Sequence, residues 1–376
     1  MRSPHGRSPR ALLRRGGAAM CALVLGSTIA TSAAPGASAT GRTTERGDAA
    51  RTDAPALPAT FTWTSSGALV SPKPDAAHPI VSIKDPSVVR YRHRWLVYAT
   101  TANTSGNWSM AYLSFSDWSQ AAAAPQTFLD QNPGIGTGFR AAPELFYFAP
   151  QKKWYLVYET GLPSYSTTTD PTRPETWSAT KNFQETMPQI VAGNIGNGFW
   201  IDFWVVCDKV NCYLFSSDDN GHLYRAQTRV RDFPNGFSKT VIVVSDPNRF
   251  NAFEASNVYR IKGTNTYLLL IEAIGSDGRR WFRSWTANGL DGDWTPLADT
   301  EANPFIRSNN VTFPDGNAWT KDFSHGEMIR AGIDQTLTID PCHLQYLYQG
   351  EDPAASGEYS QLPWRLGLLT QANSTC

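Results

Sequence analysis

The sequence predicts an all-β protein, a five-bladed β-propeller. Three observations carry the prediction: an aromatic-rich strand-like segment recurs five times, its spacing is nearly constant, and no stretch shows sustained helical periodicity. The segments are Trp95–Thr100, Trp154–Thr160, Cys212–Ser217, Thr266–Ile271 and Leu344–Gln349, with starts 59, 58, 54 and 78 residues apart. A period of that size accommodates four short antiparallel strands and their loops, which is one blade. A β-sandwich, the main rival, supplies no reason for five similar segments so spaced.

Residues 1–39 read as a secretory signal. Arg2, Arg7, Arg10, Arg14 and Arg15 form a basic region, Ala18–Ala34 a weakly apolar stretch, and Ala37–Ala39 a small-residue cleavage site. The Arg14-Arg15 pair leaves both general and twin-arginine export open. Residues 40–58, rich in Thr, Ala, Arg and Asp, offer too little apolar surface to offset ordering entropy and read as a disordered leader. The propeller is assigned to residues 59–376.

In four repeats a second strand precedes the landmark across a short turn: Ser87–Tyr91, Leu145–Phe148, Phe203–Val206 and Val258–Ile261. In the fifth the counterpart is blurred, around Ala331–Ile339. A strand from Phe61–Trp63 or from Trp364–Leu369 is expected to close the ring, and Ser116–Ala124 is at most a short helix. Without Cys21 in the signal, four cysteines remain in an exported chain, which suggests disulfides. Cys207 and Cys212 flank a four-residue loop and suit a cross-hairpin bridge. Cys342 with Cys376 would pin the chain end, buried free thiols being the alternative.

Formal charge balances, with 33 Lys and Arg against 33 Asp and Glu, which argues against a broad surface for nucleic acid or anionic lipid. The most apolar later segment, Thr266–Ile274, is strand-sized and too short to span a membrane. An extracellular, soluble monomer is expected. The 13 tryptophans are many; most are expected in the core, but carbohydrate enzymes also need exposed aromatic platforms for the apolar faces of sugars.

Polar residues recur upstream of the landmarks. Asp85, Glu144 and Asp202 each lie ten residues before a landmark strand, Glu254 twelve before and His325 nineteen before. The innermost strands of a propeller line its channel, so residues at one end of them converge on one opening. Converging carboxylates repel and lose solvation, so at least one should be held protonated. An acid that is protonated and one that is ionised are what glycosidic hydrolysis requires. Turn or buried structural roles are the alternatives, strongest for Glu144.

At these motifs the sequence resembles glycoside hydrolase family 62, the arabinoxylan arabinofuranosidases, and more distantly family 43. The likeness runs from Phe61 to the C-terminus and includes Trp200–Phe215 and Ser216–Arg225. It implies an inverting α-L-arabinofuranosidase acting on arabinoxylan, with arabinan a further candidate substrate. By the resemblance Asp85 is the base that activates water, and Glu254 the acid that protonates the departing xylose oxygen. Asp202 then orients Glu254 and helps hold it protonated. Lys84 would hydrogen-bond the arabinose, and Tyr346 would line the pocket. The chemistry needs no cofactor; related propellers often hold calcium near the axis, which makes His325 a candidate metal neighbour. The Asp218–Gly221 run reads as a hairpin turn without calcium ligands. A family-43-like xylosidase or arabinanase remains the enzyme alternative. A propeller lectin would repeat one site in every blade, whereas the order Asp, Glu, Asp, Glu, His suits one asymmetric site. No Gly-x-Ser-x-Gly elbow occurs to support a serine nucleophile.

Overall fold

Each landmark segment is the second strand of a four- or five-stranded sheet, and the strand before it is the innermost. The computed structural model describes residues 57–374 and 376. The signal and nearly all of the leader lie outside them. Blade one comprises Ile80–Tyr91, Arg94–Asn103, Trp108–Phe115 and Thr127–Phe128. Blade two comprises Ala141–Phe148, Lys153–Glu159, Pro163–Thr168 and Lys181–Asn182. Blade three comprises Ile201–Cys207, Asn211–Ser217, His222–Arg229 and Ser238–Ser245. Blade four runs Glu254–Ile261, Thr266–Ile274, Arg280–Asn288 and Thr295–Pro296. Blade five starts with Ser324–Met328 and Gln345–Gly350, then takes Arg365–Gln371 as its third strand and the N-terminal Trp63–Ser65 as its fourth. Both candidate closing segments are therefore used, which joins the two ends of the fold in one sheet.

The landmark strands are apolar along their whole length because both faces are covered by neighbouring blades: Lys153–Glu159 and Thr266–Ile274 are buried almost throughout. Ser238–Ser245, at the rim, is mostly polar or half-exposed. Among the described residues, helix is confined to Gln189–Asn194 and short 3-10 turns, one of them Trp118–Ala123 capped by the Asp117 side chain. Both disulfides form, Cys207–Cys212 between facing residues of one hairpin and Cys342–Cys376 at the chain end.

The long fifth spacing has a structural cause. Residues 329–342 supply no strand to blade five, their Thr338–Ile339 pairing instead in parallel with the inner strand of blade four, and the innermost strand expected near Ala331–Ile339 is Ser324–Met328. The intervening segment crosses the far ends of the other inner strands. Tyr147 donates its amide to Ile333, Cys207 to Gln335, Arg260 to Leu337 and Lys262 to Ile339. It thereby satisfies strand-end amides of blades two, three and four.

Candidate active site

Every inner strand breaks its ladder near its start. Register shifts fall at Lys84/Ser87, Ala141/Glu144, Ile201/Trp204, Glu254/Asn257 and Ser324/Gly326. In four blades the bulged residue is left-handed: Asp85 at φ 46°, Ala142 at 48°, Asp202 at 54° and Ala255 at 52°. Such a backbone costs on the order of 1–3 kcal/mol for a non-glycine residue and persists only where the surroundings hold it. What holds it is a ring of amide captures. Asp85 donates to Gln349 Oε1 at 2.6 Å, Ala142 to Thr100 Oγ1 at 2.8 Å, Asp202 to Glu159 Oε1 at 2.7 Å and His325 to Glu272 Oε2 at 2.8 Å. Each acceptor lies in the second strand of the preceding blade, at or beside the end of its landmark segment. At blade four the pattern changes, and Ala255 donates to Asp202 Oδ2 at 2.6 Å.

The bulges point Asp85, Asp202 and His325 into one cavity of about 540 Å3, with Lys84 and Glu254 one residue ahead of the bulge in their own blades. Lys84 Nζ lies 3.7 Å from Asp85 and donates to the Tyr359 hydroxyl at 2.8 Å, between the rings of Trp108 and Tyr359. His325 Nδ1 sits 3.6 Å from Asp85 Oδ1 and 3.4 Å from Asp202 Oδ1. One guanidinium nitrogen of Arg280 contacts both Glu254 and the buried Glu272. Phe139 and Phe199, 43 % and 67 % exposed, flank the mouth.

Six carboxyls and three cations meet here: Asp85, Glu159, Asp202, Asp219, Glu254 and Glu272 against Lys84, Arg280 and His325. The excess of acids is relieved by protons. Burial, then the charge of Asp202, pushes Glu159 well above the usual carboxylate range. Burial, then Glu254 and Asp202, pushes Asp219 up to about 9. Burial pushes Glu272 up to about 7 against the pull of Arg280. Burial would also raise Asp202, but the His325 imidazolium and the Ala255 amide outweigh it and hold Asp202 low. Burial would lower His325, yet Asp202 and Asp85 bring it up to about 9. Asp202 is thus an anion clamped by His325, and Glu159 keeps the proton of that pair.

Asp85, Asp202, Glu254, Lys84 and His325 therefore share one site. Glu144 does not join them. The residue at its blade's bulge is Ala142, and Glu144 lies two positions deeper, its Oε2 accepting the Val205 amide at 2.7 Å. Glu327 does the same between blades five and one, accepting from Ser87 Oγ and the Val88 amide at 2.6 Å. Counting back from the landmark missed this because the loop between the strands differs in length. Tyr346 is also elsewhere: it is fully buried against Phe282, with its hydroxyl 3.1 Å from Asn257 Oδ1. His325 Nδ1 faces two carboxylates, and among the described residues no group of three or more His, Cys, Asp or Glu is arranged to hold a metal.

The family model for glycosyl hydrolase family 62 matches residues 62–370, the whole propeller. The chain belongs to this family. Alpha-L-arabinofuranosidase C of Cellvibrio japonicus is 45 % identical over 317 residues, covering 83 % of this chain and 47 % of that protein. The chain thus spans about half the length of that relative. Among solved structures, the catalytic domain of the Coprinopsis cinerea family-62 α-L-arabinofuranosidase is 59 % identical at a TM-score of 0.83, covering 85 % of this chain and 100 % of that one. An α-L-arabinofuranosidase of Podospora anserina, in complex with cellotriose, is 52 % identical at 0.82, covering 85 % and 99 %. A thermostable family-43 hydrolase shares the fold at 14 % identity and a TM-score of 0.52, covering 77 % and 88 %.

Several residues of this family-62 site escaped sequence reasoning. The acceptors Thr100, Glu159, Glu272 and Gln349 share one register position with Ser217, a polar residue at or beside the end of every landmark segment, and that recurrence was readable. Arg280 and Tyr359 had no repeat to mark them. Asp219 was hidden inside a turn signature that Asp218 alone accounts for. Asp218 accepts from the Asn220 and His222 amides, His222 Nδ1 and the Tyr224 hydroxyl, which frees Asp219 to face the cavity.

Proposed function

We propose that this chain is an α-L-arabinofuranosidase that removes arabinofuranosyl side chains from arabinoxylan by single-step, inverting hydrolysis. The observation that carries the reading is the convergence of Asp85, Asp202 and Glu254 on one cavity with a buried ammonium beside them. Asp85 takes the proton of the attacking water as its oxygen reaches the anomeric carbon. Glu254 gives a proton to the xylosyl oxygen as the glycosidic bond breaks. Asp202 positions the acid through the amide of Ala255, the residue next to Glu254. Lys84, desolvated and pulled above its ordinary range mainly by Asp85 against the effect of burial, presents a fixed cation to sugar hydroxyls. The names of the relatives, and the cellotriose and xylotriose bound by two of them, support a β-linked polysaccharide as the partner. The exposed Phe139 and Phe199 suit the apolar faces of such a chain. Export of the protein is supported by its two disulfides.

The test is release of free arabinose from soluble arabinoxylan by wild type, Glu254→Gln and Asp85→Asn, with the product anomer followed by proton NMR. Each substitution removes a proton transfer from the transition state and should cost about a hundredfold or more. Inverted arabinose from wild type, lost in both variants, is the expected result. Retention of configuration would refute the mechanism, and no arabinose with xylan still bound would refute the activity.

A further inference from the structure

Asp219 is the buried acid that this mechanism leaves without a task. It is 8 % exposed, it lines the cavity, and its Oδ1 has no hydrogen-bonding partner in the fold. Its place is fixed from behind. Asn220 Nδ2 donates to Asn194 O at 2.7 Å, and Gly198 lies so close that a Cβ there would strike the Asp218 carbonyl and crowd the Asp219 Cβ. The turn therefore holds Asp219 on the wall of the cavity beside Glu254. Asp219 faces Glu254, Asp202 and Arg280; Glu254 is faced in turn by Asp219, Arg280, Glu272, Lys84 and Tyr359.

We infer that Asp219 and Glu254 form a carboxyl pair that holds one proton between them, and that this shared proton is the one delivered to the leaving oxygen. The inference rests on the role proposed above for Glu254. It bears on a feature of that role, because Glu254 meets the Arg280 guanidinium and shares the cavity with Lys84. Two close carboxyls in a desolvated site cannot both ionise, so the pair retains a proton where a lone acid beside two cations would lose it. Burial, and after it the neighbouring Glu254 and Asp202, push Asp219 upward, which agrees with this arrangement. In the reaction the pair loses its proton to the glycosidic oxygen, the C–O bond breaks towards that oxygen, and the water proton goes to Asp85. Asp219 acts through Glu254 and is a positioning residue.

Asp219→Asn keeps the shape of the side chain and removes the shared site. Its kcat/KM profile on arabinoxylan should turn down at least one pH unit earlier on the alkaline side than that of wild type. At neutral pH the loss should be on the order of tenfold or more, and largely in kcat. On a 4-nitrophenyl arabinofuranoside, whose leaving group departs without protonation, the loss should be much smaller. An unmoved alkaline limb would overturn the pair and leave Asp219 a packing or sugar-binding residue. An inactive wild type would instead sink the proposed function. A second measurement does not require that the Asp219 variant fold. In protein labelled at the aspartate carboxyl carbons, one buried aspartic acid of wild type at pH 7 should become ionised in Glu254→Gln; no such change would equally refute the pair.

Discussion

His325→Gln isolates the charge at the centre of the site. Glutamine can still donate one hydrogen bond towards Asp85 or Asp202, but it carries no charge at any pH. The His325 side chain is 12 % exposed, and its pKa rises from 6.5 to about 9 on folding. Each pH unit of such a shift corresponds to about 1.4 kcal/mol, so the imidazolium contributes on the order of 3 kcal/mol. The sign follows from the direction of the shift. The native state binds the proton more tightly than the unfolded chain, so the contribution is complete below pH 6.5, shrinks as pH rises, and is gone above about 9. Asp219 and Glu272 also take up protons on folding, but they do so in both proteins and largely cancel in the difference. Urea denaturation of wild type and His325→Gln at pH 6, 7, 8 and 9.5 should give a stability gap of about 3 kcal/mol at pH 6 that closes to below about 1 kcal/mol at pH 9.5. A gap that stays constant with pH would show that His325 holds the site by packing, and the reasoning from charge would fail.

Lys84→Met should lower kcat/KM for arabinose release by roughly 10- to 100-fold while the protein stays folded. It removes a charge-assisted donor from the cavity and leaves the flanking Trp108 and Tyr359 rings in place; kinetics on arabinoxylan alongside a thermal midpoint check both halves of the statement. The ring of amide captures predicts a contrast between two equivalent positions. Thr100→Val orphans the buried amide of Ala142 and should cost about 1–3 kcal/mol, whereas Ser217→Ala removes a hydroxyl with no partner and should cost less than about 0.5 kcal/mol, both read by denaturant titration.

The blade count was legible because each landmark strand is buried on both faces, which forces an apolar run that repeats with the blade. Asp85 and Asp202 were legible for the same reason, since each stands at a fixed distance from such a strand. Glu144 shows the limit. A count in residues cannot tell the bulge from the position two residues inside it when a loop changes length, and both positions favour acids for different reasons. Tyr346 shows another. A tyrosine in a landmark strand points either to the channel or between the blades, and only the register with Ser324–Met328 decides. Residues 329–342 were unreadable as a blade because they are not one, and they serve amides that belong to three other blades.

The place where the scaffold departs from its own rule is also the place where the chemistry is assigned. Four of the five bulge amides are held by side chains at one register position, at or beside the end of a landmark segment. At blade four that position is Ser217, which accepts nothing, and Asp202 reaches across to hold the Ala255 amide instead. The backbone beside Glu254 is therefore tied to an ion, where in the other blades it is tied to a fixed scaffold side chain. The same carboxylate is clamped by His325, which in turn faces Asp85. Asp85, His325, Asp202 and the backbone beside Glu254 are thus in contact one after another across blades one, five, three and four. An asymmetric site thereby arises in a fold built from near-repeats.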